Sequence, residues 1–170
     1  GPMARNVADL ALFFDVMTGA DHRDPLSFSE SKISFLEAAK SSQRPAKIAF
    51  SVDFGFMPVD TEVAEICRGA AKKIQEFGII VEECHPKLDN VIETFWTLRS
   101  HTFAMTMGPL VKQFQDHFKR ELLDNIEIGY RLSLDELGNA ETARSMIYEK
   151  MFNFFDDYDL LLVPSTIVPA

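Results

Sequence analysis

The segment that decides the fold reads KIAFSVDFGFMPVDTEVAEICRGAAKKIQEFGIIVEE, at residues 47–83. It opens with a short β-prone run at residues 47–51, which the Asp53-Phe54-Gly55 turn closes. Asp60 can cap the next stretch, where apolar residues recur at helical spacing from Val63 to Phe77. Gly78 ends this helix, and residues 79–81 begin a second β-prone run. A strand, a helix and a strand in such close succession predict a βαβ unit with parallel strands.

Helical patterns flank this unit on both sides. Residues 7–18 predict an amphipathic helix, which Asn6 caps and Gly19 ends. Residues 91–158 are mostly helical, with Asp89 as the cap of a long first helix and a break at Gly108-Pro109. A shorter helix covers residues 122–131, and a capping box at residues 133–136 opens another.

A continuous apolar run, Leu160-Leu161-Leu162-Val163, precedes Pro164 near the end of the sequence. Such a run is typical of a strand that is buried on both faces. The combined patterns predict the α/β class, with a βαβ unit and a largely helical second half. Since the sequence stops soon after this strand, we expect the domain to be cut from a larger fold.

Composition excludes several classes of partner. The chain has 170 residues, 46% of them hydrophobic, which suits one globular domain with a substantial core. Its formal charge of -9 predicts that it does not bind nucleic acid, because phosphates need clustered cations. No apolar run is long enough for a transmembrane helix, and the first residues lack an apolar core preceded by positive charge, so we expect neither a membrane span nor a signal peptide. The two cysteines, Cys67 and Cys84, fit no zinc or redox motif, so we predict reduced thiols in a cytoplasmic protein.

No set of residues in the sequence forms a convincing catalytic centre. Ser29-Glu30-Ser31-Lys32 matches a Ser-x-x-Lys pattern, but the partner motifs of that enzyme class are absent. Lys40-Ser41-Ser42 is better explained as a solvated linker. The glycines are too widely spaced to build a phosphate-binding or nucleophile loop. We therefore predict no catalytic residue, no cofactor and no metal site; the histidines also lack metal-ligand spacing, at His22, His85, His101 and His117.

Several ordered motifs resemble those of the amidase-signature family. The opening GPMARNVAD at residues 1–9 resembles the stretch that begins a helix in these enzymes, and DHRDP at residues 21–25 is similar to the turn that follows. KIAFSVDFG at residues 47–55 resembles the next strand, and residues 59–82 resemble the helix and strand after it. Similar segments recur as NIEIG at residues 125–129 and YDLLLVPST at residues 158–166. The resemblance extends over essentially the whole chain.

The resemblance implies an α/β fold in which this chain supplies part of a mixed β-sheet flanked by helices. Amidase-signature enzymes, including the A subunit of glutamyl-tRNA amidotransferase, hydrolyse amide bonds with a nucleophilic serine, a second serine in a cis-peptide and a lysine base. In the family pattern these residues precede the GPMAR stretch, so none is carried over to a position here. Residues 1–170 are then expected to be a single partial domain, the middle segment of the fold, and to be inactive alone.

Three readings of function remain open from the sequence. The first is a segment of an amidase that acts on a small-molecule amide. The second is a non-catalytic α/β interaction or scaffold module of the same fold, and the third is a complete small enzyme. The first reading predicts an exposed strand edge and apolar face, covered by a complementary segment or by a second copy in a homo-oligomer. The predicted pocket-lining residues are Trp96, Phe103, Met107, Ser165 and Thr166.

Overall fold

The computed structural model describes residues 1–29, 33–41 and 43–169. Within it the chain forms two compact units, residues 1–44 and residues 45–170. That residues 1–170 are a single partial domain of a larger fold stays a prediction. The two serine–lysine patterns at residues 29–32 and 40–42 each include residues outside the described ranges. Among the described residues, no helix combines the length and the apolar character needed to cross a bilayer.

The first unit consists of two helices that are held by caps. Helix α1 covers Val7–Met17, and the Asn6 side chain accepts a hydrogen bond from the Asp9 N–H at its start, as predicted. Helix α2 covers Phe35–Lys40. The Asp15 carboxylate of α1 accepts hydrogen bonds from the N–H groups of Phe35 and Leu36, at 2.6 and 3.2 Å. This carboxylate therefore satisfies free donors at the N-terminus of α2 and ties the two helices together.

The second unit contains a parallel three-stranded sheet. Its strands are β1 (Lys47–Phe50), β2 (Ile80–Glu83) and β3 (Leu160–Leu162), in the order β2-β1-β3. Helix α3 (Thr61–Gln75) connects β1 to β2, which confirms the predicted βαβ unit. The core between this helix and the sheet includes Phe50, Val52, Ala64 and Ala71, all buried.

Asp159 anchors β3 to the start of β1. Its carboxylate oxygen Oδ2 accepts hydrogen bonds from the N–H groups of Ala46 and Lys47, at 2.7 and 2.9 Å. These two bonds, first that of Lys47 and then that of Ala46, lower the pKa of the Asp159 carboxyl below its usual value. Beside them, the Tyr158 hydroxyl donates to Glu82 of β2 at 2.6 Å, so polar side chains connect all three strands.

Four helices form the predicted helical half of the second unit. They are α4 (Val91–Thr106), α5 (Gly108–Phe114), α6 (Arg120–Arg131) and α7 (Leu134–Phe154), with a 3₁₀ turn at Gln115–His117. Helix α4 packs against both α6 and α7. The contact with α6 is close because Gly129 has no side chain: a Cβ atom there would lie 2.1 Å from the carbonyl oxygen of Ser100. The capping box at Ser133 and Glu136 is confirmed.

Two local predictions are wrong. Asn90, not Asp89, precedes α4, and with a φ of 53° it makes no side-chain cap hydrogen bond. The Asp89 carboxylate instead pairs with the Lys150 ammonium of α7 at 2.5 Å, a long-range contact that outweighs the local capping preference. The run at residues 160–163 is not buried on both faces, since Leu160 is 47% exposed and Val163 41% exposed. Strand β3 is an edge strand here, because among the described residues it pairs only with β1.

Candidate functional site

The loops that follow β1 and β3 leave the same edge of the sheet. Both strands are parallel and adjacent, so their carboxyl ends lie side by side. From the central strand β1 the chain passes to β2 on one side, and later returns to β3 on the other. In open parallel sheets, such a reversal of strand order creates a crevice outside the carboxyl ends, where ligands bind.

Local hydrogen bonds shape the loop after β1. The Ser51 hydroxyl accepts from the Phe54 N–H at 2.9 Å, and the Asp53 carboxylate accepts from the Gly55 N–H at 2.7 Å. Phe54 and Gly55 both have positive φ, 54° and 74°. Glycine is required at the second position, because a Cβ atom would lie 2.9 Å from the His85 ring. This tight turn places the rings of Phe54 and Phe56 beside each other, with centroids 6.0 Å apart.

A hydrogen bond between main-chain atoms links the loop after β3 to the loop after β1. The Asp60 N–H donates a hydrogen bond to the carbonyl oxygen of Ile167 at 2.8 Å. Asp60 also caps α3 through its side chain, which accepts from the Glu62 N–H. Within the second loop, the Thr166 hydroxyl donates to the Val168 carbonyl at 2.9 Å. The hydrogen bond between Asp60 and Ile167 thus ties the two loops together.

An open cleft of about 600 Å³ lies between these loops and the N-terminal half of α4. Its volume is in the range of small-molecule sites, which are concave and mostly apolar with few polar groups. Asp53 is the charged residue in its wall. The lining comes from three separate segments: Val52, Asp53, Phe54, Phe56, Met57, Pro58 and Val59; Val91, Ile92, Phe95 and Trp96; and Val163, Pro164, Ser165, Thr166 and Ile167.

The structure brings together three of the five predicted lining residues. Trp96, Ser165 and Thr166 line the cleft, whereas Phe103 and Met107 do not. Phe103 lies two turns beyond Trp96 along α4, and a seven-residue step advances about 10 Å along a helix. Its ring instead packs against the Arg99 guanidinium at 4.4 Å. Whether the cleft binds a ligand stays a prediction.

Sequence reasoning missed the aromatic residues of the first loop. Phe54 and Phe56 line the cleft, as does Phe95 one position before Trp96. The loops after β1 and β3 have neither helical nor strand periodicity, so no sequence pattern pointed to their residues as part of a site. The available signal was positional: residues that directly follow a strand predicted to be parallel lie at the edge where ligands bind.

The polar groups around the cleft do not assemble a metal centre among the described residues. His85, beside Gly55, has Nδ1 at 3.1 Å from the Pro86 carbonyl oxygen. Since a carbonyl can only accept, Nδ1 is the protonated nitrogen in that contact. His101 lies farther along α4 and is not part of the lining.

The parallel sheet, the flanking helices and the crevice at the strand ends define an α/β protein with an open, mostly apolar cleft. Residues 1–170 match the family model described as Amidase, and the chain belongs to this family. The predicted resemblance and the predicted fold class are therefore confirmed.

The relatives it matches are considerably longer proteins. An acylamidase of Rhodococcus erythropolis is 32% identical over 170 residues, which cover 97% of this chain and 35% of that protein. The A subunit of the glutamyl-tRNA(Gln) amidotransferase of Sulfurihydrogenibium sp. (strain YO3AOP1) is 24% identical over 191 residues, covering 98% of this chain and 39% of that protein. The solved structure of a bacterial aryl acylamidase of the amidase-signature family superposes with a TM-score of 0.86 at 25% identity, covering 99% and 36% of the two chains. The chain thus spans somewhat more than a third of the length of these relatives.

Proposed function

We propose that this chain forms part of the substrate pocket of an amide hydrolase, whose reaction is hydrolysis of a C–N amide bond. The observation that carries the proposal is the aromatic cleft at the carboxyl ends of β1 and β3. Membership of the amidase family supports the reaction class. Relatives named as acylamidase and aryl acylamidase support a substrate with an apolar or aromatic group.

The cleft suits the non-reacting part of such a substrate. The rings of Phe54, Phe56, Phe95 and Trp96 offer apolar surface to an aryl or alkyl group. Ser165 and Thr166 add hydroxyl groups to the opposite wall, where an amide could be oriented by hydrogen bonds. Binding energy from this region would position the scissile bond for catalytic groups elsewhere.

The catalytic groups are proposed to lie outside these residues. The resemblance puts the nucleophilic serine, the cis-serine and the lysine before the GPMAR motif, which occupies residues 1–5 here. We therefore expect the chain alone to bind an amide without hydrolysing it. Since the chain alone is expected to have no hydrolytic activity, replacement of His101 or Ser165 should change no hydrolysis rate.

The alternative is a non-catalytic interaction module of the same fold. Such a module would be expected to cover its sheet edges and apolar side chains with charge or with a dimer interface. Ile80 at the start of β2 is 58% exposed, and Leu160 of β3 is 47% exposed. These exposed residues on both edge strands favour the pocket segment over the adapted module.

The test uses Trp96, the only tryptophan in the sequence, as an intrinsic probe of the cleft. We expect acetanilide or phenylacetamide to change Trp96 fluorescence saturably. Phe56→Ala should weaken binding about tenfold, because the aromatic contact with the ligand is lost. Phe152→Ala removes an exposed ring of α7 outside the cleft lining and should leave the affinity unchanged.

A parallel assay separates binding from catalysis. The purified chain is incubated with the same amides and with a serine-reactive fluorophosphonate probe. Binding without turnover or labelling is the expected result. Turnover with one labelled serine would place a nucleophile within these residues, whereas absence of binding at any concentration would reject the cleft as the substrate site.

A further inference from the structure

Arg99 has an unusual environment on α4. Its guanidinium lies 5.7 Å from the ring centroid of Phe95, 5.8 Å from that of Trp96 and 4.4 Å from that of Phe103. Phe95 and Trp96 are half exposed and line the cleft. The three rings therefore hold a positive charge beside the α4 wall of the cleft, through cation–π contacts.

No carboxylate of the described part of the chain pairs with this guanidinium. The positions one helical turn away on either side are Phe95, Trp96, Thr102 and Phe103, so α4 itself offers no acidic partner. Other arginines behave differently. Six of them form ion pairs with Asp or Glu: Arg5, Arg23, Arg68, Arg120, Arg131 and Arg144.

The contrast matters because the chain is rich in acidic residues. There are 26 Asp and Glu residues and a formal charge of -9, yet the exposed Arg99 guanidinium contacts three aromatic rings and no carboxylate of the described residues. A guanidinium that contacts aromatic rings keeps its five N–H donors, because a ring face is not a hydrogen-bond acceptor of the carboxylate kind. These donors are available to a planar acceptor at the rim of the cleft, next to Phe95 and Trp96.

Local charge decides what could bind at this position. Charges farther than about 8 Å away are largely screened at physiological salt, so the groups nearest Arg99 matter more for binding there than the net charge of the chain. Asp53, the acidic residue of the cleft wall, is engaged with the Gly55 N–H on the first loop. Arg99 is exposed and lies outside the lining, but it packs against two rings of the lining and so places a positive charge at the rim of the cleft beside α4.

We propose that Arg99 is a specificity-determining residue that binds the carboxylate of an amide whose apolar body occupies the cleft. The substrate class is then an aryl or alkyl amide with a terminal carboxylate. This proposal rests on the proposed function, because it requires the cleft to be the substrate site. A guanidinium and a carboxylate can form two parallel charge-assisted hydrogen bonds, which favour this ligand over a neutral one.

The first experiment compares two ligands of nearly equal size by isothermal titration calorimetry. Succinanilic acid carries an aryl amide and a terminal carboxylate, and its methyl ester carries the same amide without the charge. We expect the chain to bind the acid about tenfold more tightly than the ester, since a charge-assisted pair is worth roughly one decade in affinity.

The second experiment assigns the preference to Arg99. Arg99→Gln should abolish the advantage of the acid and leave the affinity for the ester within about twofold, as expected when only a charged contact is lost. Arg144→Gln is the matched control, because Arg144 is an exposed arginine of α7 paired with Glu141. It should retain the preference, and circular dichroism should show that both variants keep the helical content of the parent chain.

The outcomes separate the two proposals. If the ester binds and the acid has no advantage, or if Arg99→Gln keeps the advantage, the Arg99 proposal is wrong while the cleft remains the substrate site. If neither ligand binds the unmodified chain, both proposals are wrong. The comparison of the two ligands on the unmodified chain holds even if Arg99→Gln fails to fold.

Discussion

At the scale of single residues, Gly129 shows how one missing side chain sets a helix–helix distance. A Cβ atom at this position would lie 2.1 Å from the Ser100 carbonyl oxygen and 2.7 Å from the Ala104 Cβ. Alanine is the better helix former by about 1 kcal/mol, but here it would force α4 and α6 apart. We expect Gly129→Ala to lower the free energy of unfolding by about 2 kcal/mol, as measured by urea denaturation.

Gly69 supplies the matched control. It lies within α3, and a Cβ atom there would meet nothing within 4 Å. Gly69→Ala should therefore raise the free energy of unfolding, by up to about 1 kcal/mol. If both alanine variants were stabilised, the close approach of α4 and α6 would be contradicted.

At the scale of elements, the attachment of β3 to β1 depends on a charged side chain and therefore on pH. The pKa of Asp159 is lowered by the N–H groups of Lys47 and Ala46, so the folded state binds this proton less readily than the unfolded chain. The ionised Asp159 carboxylate stabilises the fold at pH values above the pKa that this group has in the unfolded chain. This stabilisation is lost as the pH falls through the lower pKa that the group has in the folded state. We expect Asp159→Asn to destabilise the chain at about pH 7, and to do so less at about pH 2.5, in urea denaturation.

Asp157 is the control for this pH dependence, two residues earlier in the chain. No hydrogen bond from a described residue reaches its side chain, whereas its backbone N–H donates to the Phe154 carbonyl. Asp157→Asn should have little effect on stability at either pH. If Asp159→Asn destabilised the chain equally at the two pH values, the ionised Asp159 carboxylate would not be what anchors β3 to β1.

Most elements were predictable from the sequence because their signals are local. The caps at Asn6, Asp60 and Ser133 and the break before Pro109 each depend on residues within one helical turn. The start of α4 was not predictable, because the partner of Asp89 is Lys150, 61 positions away. The cleft was predicted only in part for the same reason: it joins three segments that come together only in the folded sheet.

At the scale of the whole molecule, exposed apolar side chains predict association. Both edge strands leave one side unpaired among the described residues, and Leu160 is 47% exposed on β3. Unpaired strand edges with apolar residues add further strands. We expect sedimentation velocity to show species above the 19.2 kDa monomer as concentration rises.

A pair of lysine substitutions tests whether the strand edge is responsible. Leu160→Lys places a charge on the edge strand and should reduce association. Leu134→Lys changes a residue that is 86% exposed at the start of α7, away from the sheet, and should not. If the chain were a monomer at all concentrations, or if Leu134→Lys reduced association more than Leu160→Lys, the edge of β3 would not be the surface through which the chain associates.

The link between the two loops has an evolutionary consequence. The hydrogen bond from the Asp60 N–H to the Ile167 carbonyl uses main-chain atoms only. Every amino acid except proline supplies both atoms, so mutation of either loop almost never removes the bond. Descendants of this sequence can therefore exchange the aromatic lining of the cleft and still keep the hydrogen bond that links its two loops. The link between the loops is inherited with the backbone, whereas selection is free to vary the side chains that line the cleft.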